Sequence, residues 1–172
     1  MSKLISYQCR RCGKRHDGLP MSYGTDAPAY WSPSFADDES SLLDEDQCVI
    51  KGEHFFVRGR LVIPVIDAAP GTEFDWGVWV SLSGTNFSRT LSLWTTSGRE
   101  QEPPYFGWLS TELPLYEPST LELKTHVHTQ QVGMRPLIEL EPTDHPLAVE
   151  QRTGITIARV QEIAEALLHP PG

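Results

Sequence analysis

Phe74-Asp-Trp-Gly-Val-Trp-Val-Ser-Leu82 sets Trp76, Val78, Val80 and Leu82 in alternation with Asp75, Gly77, Trp79 and Ser81. A period of two belongs to a β-strand, whose side chains point to opposite faces, so this stretch reads as a strand with one face buried. Working outward, residues 48–51 and 55–65 are rich in β-branched and aromatic side chains and are broken by Gly52 and Gly59. Pro64 places the end of the second run at a sheet edge. Residues 91–94, 105–109, 121–129 and 137–140 continue the pattern between Pro and Gly turns. The expectation is an α+β fold on an antiparallel β-sheet of about five to seven strands.

Helices are expected late in the chain. Asp144 is placed to cap a turn that carries Pro146 and stops at Gly154. Ile157, Val160, Ile163, Ala164, Leu167 and Leu168 then recur at three- and four-residue spacing, the pattern of an amphipathic helix, ended by Pro170 and Pro171. Residues 18–46 are interrupted by Pro20, Pro28 and Pro33 and read as an irregular connection with one short helix near Ser41. Its aromatics Tyr23, Tyr30, Trp31 and Phe35 argue that it packs. With 172 residues the chain is long enough for a real core, and one domain is expected. Its parts are a knuckle (1–17), the connection (18–46), the sheet (47–141) and a helical C-terminus (142–172).

Fourteen Lys and Arg against 23 Asp and Glu give a net charge of −9. That balance repels a phosphate backbone and argues against nucleic acid as a partner. Lys3, Arg10, Arg11, Lys14 and Arg15 crowd the N-terminus, whereas residues 37–46 hold six acids and no base. The two stretches are expected to attract each other. No apolar run follows a basic start, and no segment approaches the ~20 apolar residues of a membrane helix, so a cytoplasmic protein is expected. In a reducing compartment three cysteines point to metal or redox chemistry rather than to disulfides.

Cys9-Arg-Arg-Cys12-Gly13 reads as a tight turn between two short strands, the construction of a zinc knuckle. Two thiolates separated by two residues grip one ion, and zinc favours four Cys and His ligands. Cys9, Cys12 and Cys48 are taken as ligands, with His16, four residues after Cys12, as the fourth; His54, Asp46 or a water are the other candidates. A thioredoxin-like dithiol is disfavoured, since that motif opens a helix and here a β-turn is indicated. His126 and His128, two apart in a strand, point the same way; such a pair can bind metal or pass protons, and otherwise forms a solvated face with Glu122 and Lys124. His145 is either a general base or a helix-start residue. The pairs Trp76/Trp79 and Tyr105/Trp108 each set two large rings around a glycine. One ring of each pair is expected in the core and the other in a pocket or a partner surface. No P-loop, dinucleotide fingerprint or nucleophile elbow is present. The His-x-Glu and Pro-Cys-x-x-Cys signature of a cytidine deaminase is also missing.

In Cys9, Cys12-Gly13, Cys48, Phe56-Val-Arg58-Gly59, Trp76-Gly-Val-Trp79, Tyr105-Phe-Gly-Trp108, Arg135-Pro136 and Asp144-His145-Pro146-Leu147, taken in order, the chain resembles the bacterial family called domain of unknown function 2199. The resemblance covers nearly the whole chain. It implies a bacterial cytoplasmic domain in which the cysteines matter, and it carries no activity to transfer. The expected function is a non-enzymatic, zinc-stabilised domain that binds another protein, a basic one by its charge, an immunity protein that neutralises a toxin being one version. The competing expectation is a metal-dependent hydrolase with an open zinc position and His145 or His16 as base.

Overall fold

A computed structural model describes residues 4–169. Its centre is a long antiparallel hairpin of β6 (His54–Pro64) and β7 (Glu73–Leu82), in register from Phe55 opposite Leu82 to Pro64 opposite Glu73. Trp76, Val78, Val80 and Leu82 are all buried on one face, as their alternation requires, together with Val57, Leu61, Ile63 and Phe74. The opposite face of β7 is not left to solvent. Trp79 is fully buried there with Cys48, Ile50 and Phe56, under Trp31, Phe35 and Leu43. Of the aromatics of the 18–46 connection, Trp31 and Phe35 cover the back of the sheet, Tyr23 packs on Phe74 and Trp76 of the main core, and Tyr30 is exposed.

The remaining sheet strands are β8 (Tyr105–Leu109), β9 (Lys124–His128), β10 (Leu137–Leu140), β3 (Ser22–Gly24), β4 (Leu42–Leu43) and β5 (Gln47–Ile50). The sheet is not the simple antiparallel one expected. Strands β6, β7, β8, β9 and β10 run antiparallel in turn, and β10 then returns to β6 in parallel, Leu137 opposite Arg60, to close a five-stranded barrel. Strand β3 adds to β7 in parallel, and β5 and β4 extend from β6. Alternation is the same in parallel and antiparallel strands, so it carries no record of the closure.

Gly59 makes the closure sterically feasible. A Cβ there would lie 2.6 Å from the Ile138 side chain and 2.9 Å from the Pro136 carbonyl oxygen, so the seam between β6 and β10 requires glycine. Residues 91–94, expected as a strand, instead finish a helix, α1 (Gly84–Ser92), and the turn after it. Ser83 caps this helix by accepting from the Asn86 N–H at 3.1 Å, and Phe87 stacks on Phe55. Near Ser41 the chain forms β4, and its short helical turn lies earlier, at Pro33–Asp37. Strand β9 begins three residues later than expected, because Glu122 takes a positive φ of 68° that no regular strand accommodates.

Helices α2 (Pro146–Thr153) and α3 (Ile157–Leu168) occur where periodicity places them. The cap of α2 is His145 rather than Asp144. Gly154, at φ 84°, ends it; Pro170 and Pro171 lie outside the described residues. Backbone bonds from Ile155 N–H to the Pro64 carbonyl (2.8 Å) and from Ile66 N–H to the Ile155 carbonyl (2.9 Å) tie the link between the two helices to the end of β6. A buried polar cluster then fixes α3: Trp76 Nε1 donates to the Tyr116 hydroxyl, which donates to Glu150, and Arg159 of α3 reaches the same carboxylate at 2.8 Å. Val160, Ile163 and Ala164 complete the core on that side. Among the described residues no helix is long and apolar enough to cross a membrane.

Replacing Gly59 with Ala is expected to destabilise the protein by about 1–3 kcal/mol through overpacking of the seam. Urea unfolding followed by circular dichroism reads this as a lower midpoint, and an unchanged midpoint would contradict the steric argument.

Candidate metal site

The N-terminal hairpin is present as expected. Strands β1 (Ser6–Gln8) and β2 (Arg15–Asp17) pair with Tyr7 opposite His16, and the intervening turn carries both cysteines. Gly13 takes a positive φ of 74°, the left-handed conformation that glycine adopts at no steric cost. The Gly13 N–H donates to the Cys9 carbonyl at 3.0 Å and the Cys9 N–H to the Lys14 carbonyl at 2.9 Å, which fixes the loop. Cys9 is buried, and the Cys12 N–H points at its sulfur at 3.3 Å. Burial pushes the Cys9 thiol up, but the backbone N–H groups of Cys12 and Arg11, with the Cys12 side chain, outweigh it and hold the pKa below the ordinary thiol value. The loop is therefore built to carry a thiolate.

Cys12 Sγ lies 3.2 Å from His16 Nε2. The fourth member of the group is one that sequence reading missed. His169, the residue that ends α3, brings its ring to 4.6 Å from that of His16, and the ligand atoms of Cys9, Cys12, His16 and His169 all lie within 4.8 Å of one another. Zinc bonds of about 2.0–2.3 Å in a tetrahedron separate neighbouring ligand atoms by about 3.3–3.8 Å. Two thiols and two imidazoles this close fit such an ion with small side-chain adjustments.

Cys48 is not in this group. It is fully buried in β5 among Ile50, Phe56 and Trp79, on the back of the sheet. Burial first, then the Asp44 charge, push its thiol up to about 12. Among the described residues it belongs to no group of three or more potential metal ligands, and spacing alone could not distinguish it from a ligand. The other residues expected as a possible fourth ligand lie outside this group. Asp46 pairs with Arg135 at 2.9 Å, and His54 is exposed at the start of β6. The acidic stretch likewise does not meet the basic knuckle through any ion pair among the described residues. Arg10 instead meets Glu165 of α3, Nε to Oε1 at 2.9 Å, and adds a backbone N–H bond to the same carboxylate at 3.2 Å. Gln161 donates to both Glu165 and the Gln8 carbonyl. Burial pushes the Glu165 carboxyl up, but the Arg10 and Gln161 hydrogen bonds and the Arg10 charge hold it below the ordinary value. These bonds bring the end of α3, and with it His169, to the knuckle.

The other titratable candidates have structural partners. His145 Nδ1 accepts from the Leu147 N–H at 3.1 Å and Nε2 faces the Pro118 carbonyl at 2.8 Å, so both ring nitrogens are engaged and neither is free to act as a base. His126 and His128 do share the outer face of β9, each with an acid diagonally across on the neighbouring chain segment: Glu141 at 3.5 Å and Glu139 at 3.3 Å. Of the aromatic pairs, Trp76 and Trp79 are both buried, whereas Tyr105 is buried and Trp108 is exposed beside Phe106, edge to face at 5.1 Å.

The family described as "Uncharacterized protein conserved in bacteria (DUF2199)" matches residues 8–155. The chain belongs to this family. The matched span contains Cys9, Cys12 and His16, whereas His169 lies beyond it. No curated protein and no solved structure matches the chain.

Two outcomes are expected. In native, metal-free protein, iodoacetamide should modify exposed Cys12 and spare Cys48 until the chain unfolds, as mass spectrometry of the alkylated peptides would reveal; rapid native labelling of Cys48 would contradict its placement. Glu165, with its folded pKa below the ordinary 4.5, contributes stability that is present above that value and lost as pH falls through the folded pKa. The Glu165→Gln variant should therefore show a shallower loss of thermal stability on acidification than wild type.

Proposed function

We propose that this chain is a cytoplasmic zinc-binding domain, non-enzymatic and acting through another protein, in which zinc clamps the knuckle to the end of α3. The observation that carries this reading is the convergence of Cys9, Cys12, His16 and His169 within 4.8 Å. Four protein ligands fill a tetrahedral zinc, and a filled shell is the mark of a structural ion, whereas a hydrolytic zinc keeps a position for water. The engagement of both His145 nitrogens also weighs against the hydrolase reading. The clamp joins residues more than 150 positions apart, so zinc would close the chain into one domain by its ends. For partner binding, the support is the exposed Phe106–Trp108 pair on a barrel face that also carries Lys124 and His126, an aromatic anchor of the kind interfaces favour. The charge of −9 favours a basic partner.

Elemental analysis of tag-free protein tests the ion. One zinc per chain is expected in wild type and in Cys48→Ser, with loss of the metal in Cys9→Ser and weakened retention in His169→Gln. Zinc-loaded protein should also melt higher than chelator-treated protein. Wild type purified without zinc under reducing, chelator-free conditions would overturn the proposal. Zinc lost in Cys48→Ser while that variant remains folded would overturn the ligand set.

A further inference from the structure

The two knuckle sulfurs are placed differently, and the difference is not one that metal ligation requires. Cys12 is exposed, whereas Cys9 is buried against the main core. Arg11, Lys14 and Arg15 share the turn with Cys12, are exposed like it, and make no ion pair among the described residues. Cys12 therefore stands in electropositive, solvent-facing surroundings, the setting in which a cysteine reacts with an oxidant that diffuses to it.

Cys9 is shielded from such an oxidant but not from Cys12. The Cys12 N–H donates to Cys9 Sγ at 3.3 Å, and the two sulfurs lie within 4.8 Å of each other. The turn between them is closed by the Gly13 N–H on the Cys9 carbonyl, which brings the ends of this four-residue stretch together, and a disulfide needs Cα atoms only about 4.4–6.8 Å apart. The third cysteine offers no alternative partner, because Cys48 is enclosed on the back of the sheet with Trp79 and Phe56. One exposed sulfur thus has one buried sulfur behind it, already hydrogen-bonded as a thiolate would be.

We infer that Cys12 is a peroxide-reactive thiol with Cys9 as its resolving partner, and that closing the Cys9–Cys12 disulfide opens the zinc clamp on α3. The Cys12 thiolate attacks one oxygen of hydrogen peroxide; the O–O bond breaks, the sulfur is oxidised to sulfenic acid, and hydroxide leaves. The Cys9 thiolate then attacks the Cys12 sulfur; the S–S bond forms, the S–O bond breaks, and a second hydroxide leaves. Two protons from solvent turn the hydroxides into water, so the two sulfurs have given two electrons to one peroxide. The new bond removes both thiolates from the group of four, and His16 and His169 alone are too few to hold a structural zinc. The Arg10–Glu165 and Gln161–Gln8 contacts remain, so the part that opens is the end of α3 at His169 and not the barrel. Release of the ion rests on the zinc reading above, whereas the roles of the two thiols do not.

Treatment of the full-length, tag-free protein with hydrogen peroxide tests this, once after loading with zinc and once after stripping of metal, with mass spectrometry of the unreduced peptides and a zinc-binding dye as readouts. Both samples should form the Cys9–Cys12 disulfide and keep Cys48 as a free thiol. The loaded sample should release its zinc in step with the disulfide, and dithiothreitol should restore both thiols and zinc binding. With its resolving partner gone, Cys9→Ser should accumulate sulfenic acid at Cys12, trapped by dimedone about ten-fold or more above the trapping of Cys9 in Cys12→Ser. Absence of the disulfide from both samples, with Cys12 oxidised onward to sulfinic acid in its place, would overturn the inference, and so would preferential trapping at Cys9. Zinc retained after the disulfide has formed would overturn the release. Wild type that binds no zinc defeats the zinc reading and the release together, and its metal-free sample still decides the roles of the thiols. The wild-type comparison stands even if either variant fails to fold.

Discussion

Ten consecutive residue pairs join β6 to β7, and each strand is longer than any other neighbour it meets. Both are consequently shared along their lengths. Strand β6 is met by β5 at residues 54–57 and by β10 at Arg60, and β7 by β3 at residues 75–77 and by β8 at residues 80–81. A hairpin whose outer edges are divided in this way cannot stay in one flat sheet. One set of partners curls round to close the barrel, and the other spreads behind it. The glycine at 59 lets the curling set approach. From this one constraint follow the enclosed core and the second aromatic layer on Trp79.

The knuckle depends on the barrel indirectly. Two residues of the turn, with His16 across the hairpin, supply three side chains able to hold a metal by local geometry alone. The fourth arrives on α3, whose direction is set by the Trp76–Tyr116–Glu150–Arg159 cluster and whose end is drawn in by Arg10 and Glu165. The Glu165 carboxylate is buried and the Arg10 side chain largely exposed, so the pair is screened and the carboxylate is held chiefly by the side-chain hydrogen bonds from Arg10 and Gln161. Order in the helix and order in the knuckle are thereby coupled, whatever occupies the group of four.

Much of this was legible in the chain and some was not. The strand at 74–82, the knuckle turn, and the helices at 146–153 and 157–168 follow from periods and from turn residues, which are local properties. Helix α1 was hidden because Gly84-Thr-Asn-Phe-Ser has little helix propensity, and its formation depends on the Ser83 cap and the packing of Phe87 on Phe55. Cys48 looked like a ligand because a cysteine's chemistry is the same in a core as at a metal, and only its neighbours distinguish the two.

By itself the sequence determined the strand at 74–82, the helices at 146–153 and 157–168, that the knuckle places two sulfurs together, and that the chain is acidic. These depend on contacts between residues a few positions apart, or on no contact at all. Only the tertiary structure decided that the sheet closes in parallel through β10, that His169 rather than Cys48 lies with Cys9, Cys12 and His16, and that Arg58 packs over Trp79 on the back of the sheet. Each of those outcomes is a pairing between distant parts of the chain. Such pairings are selected by the fit of whole elements to one another, and no spacing in the sequence records that fit.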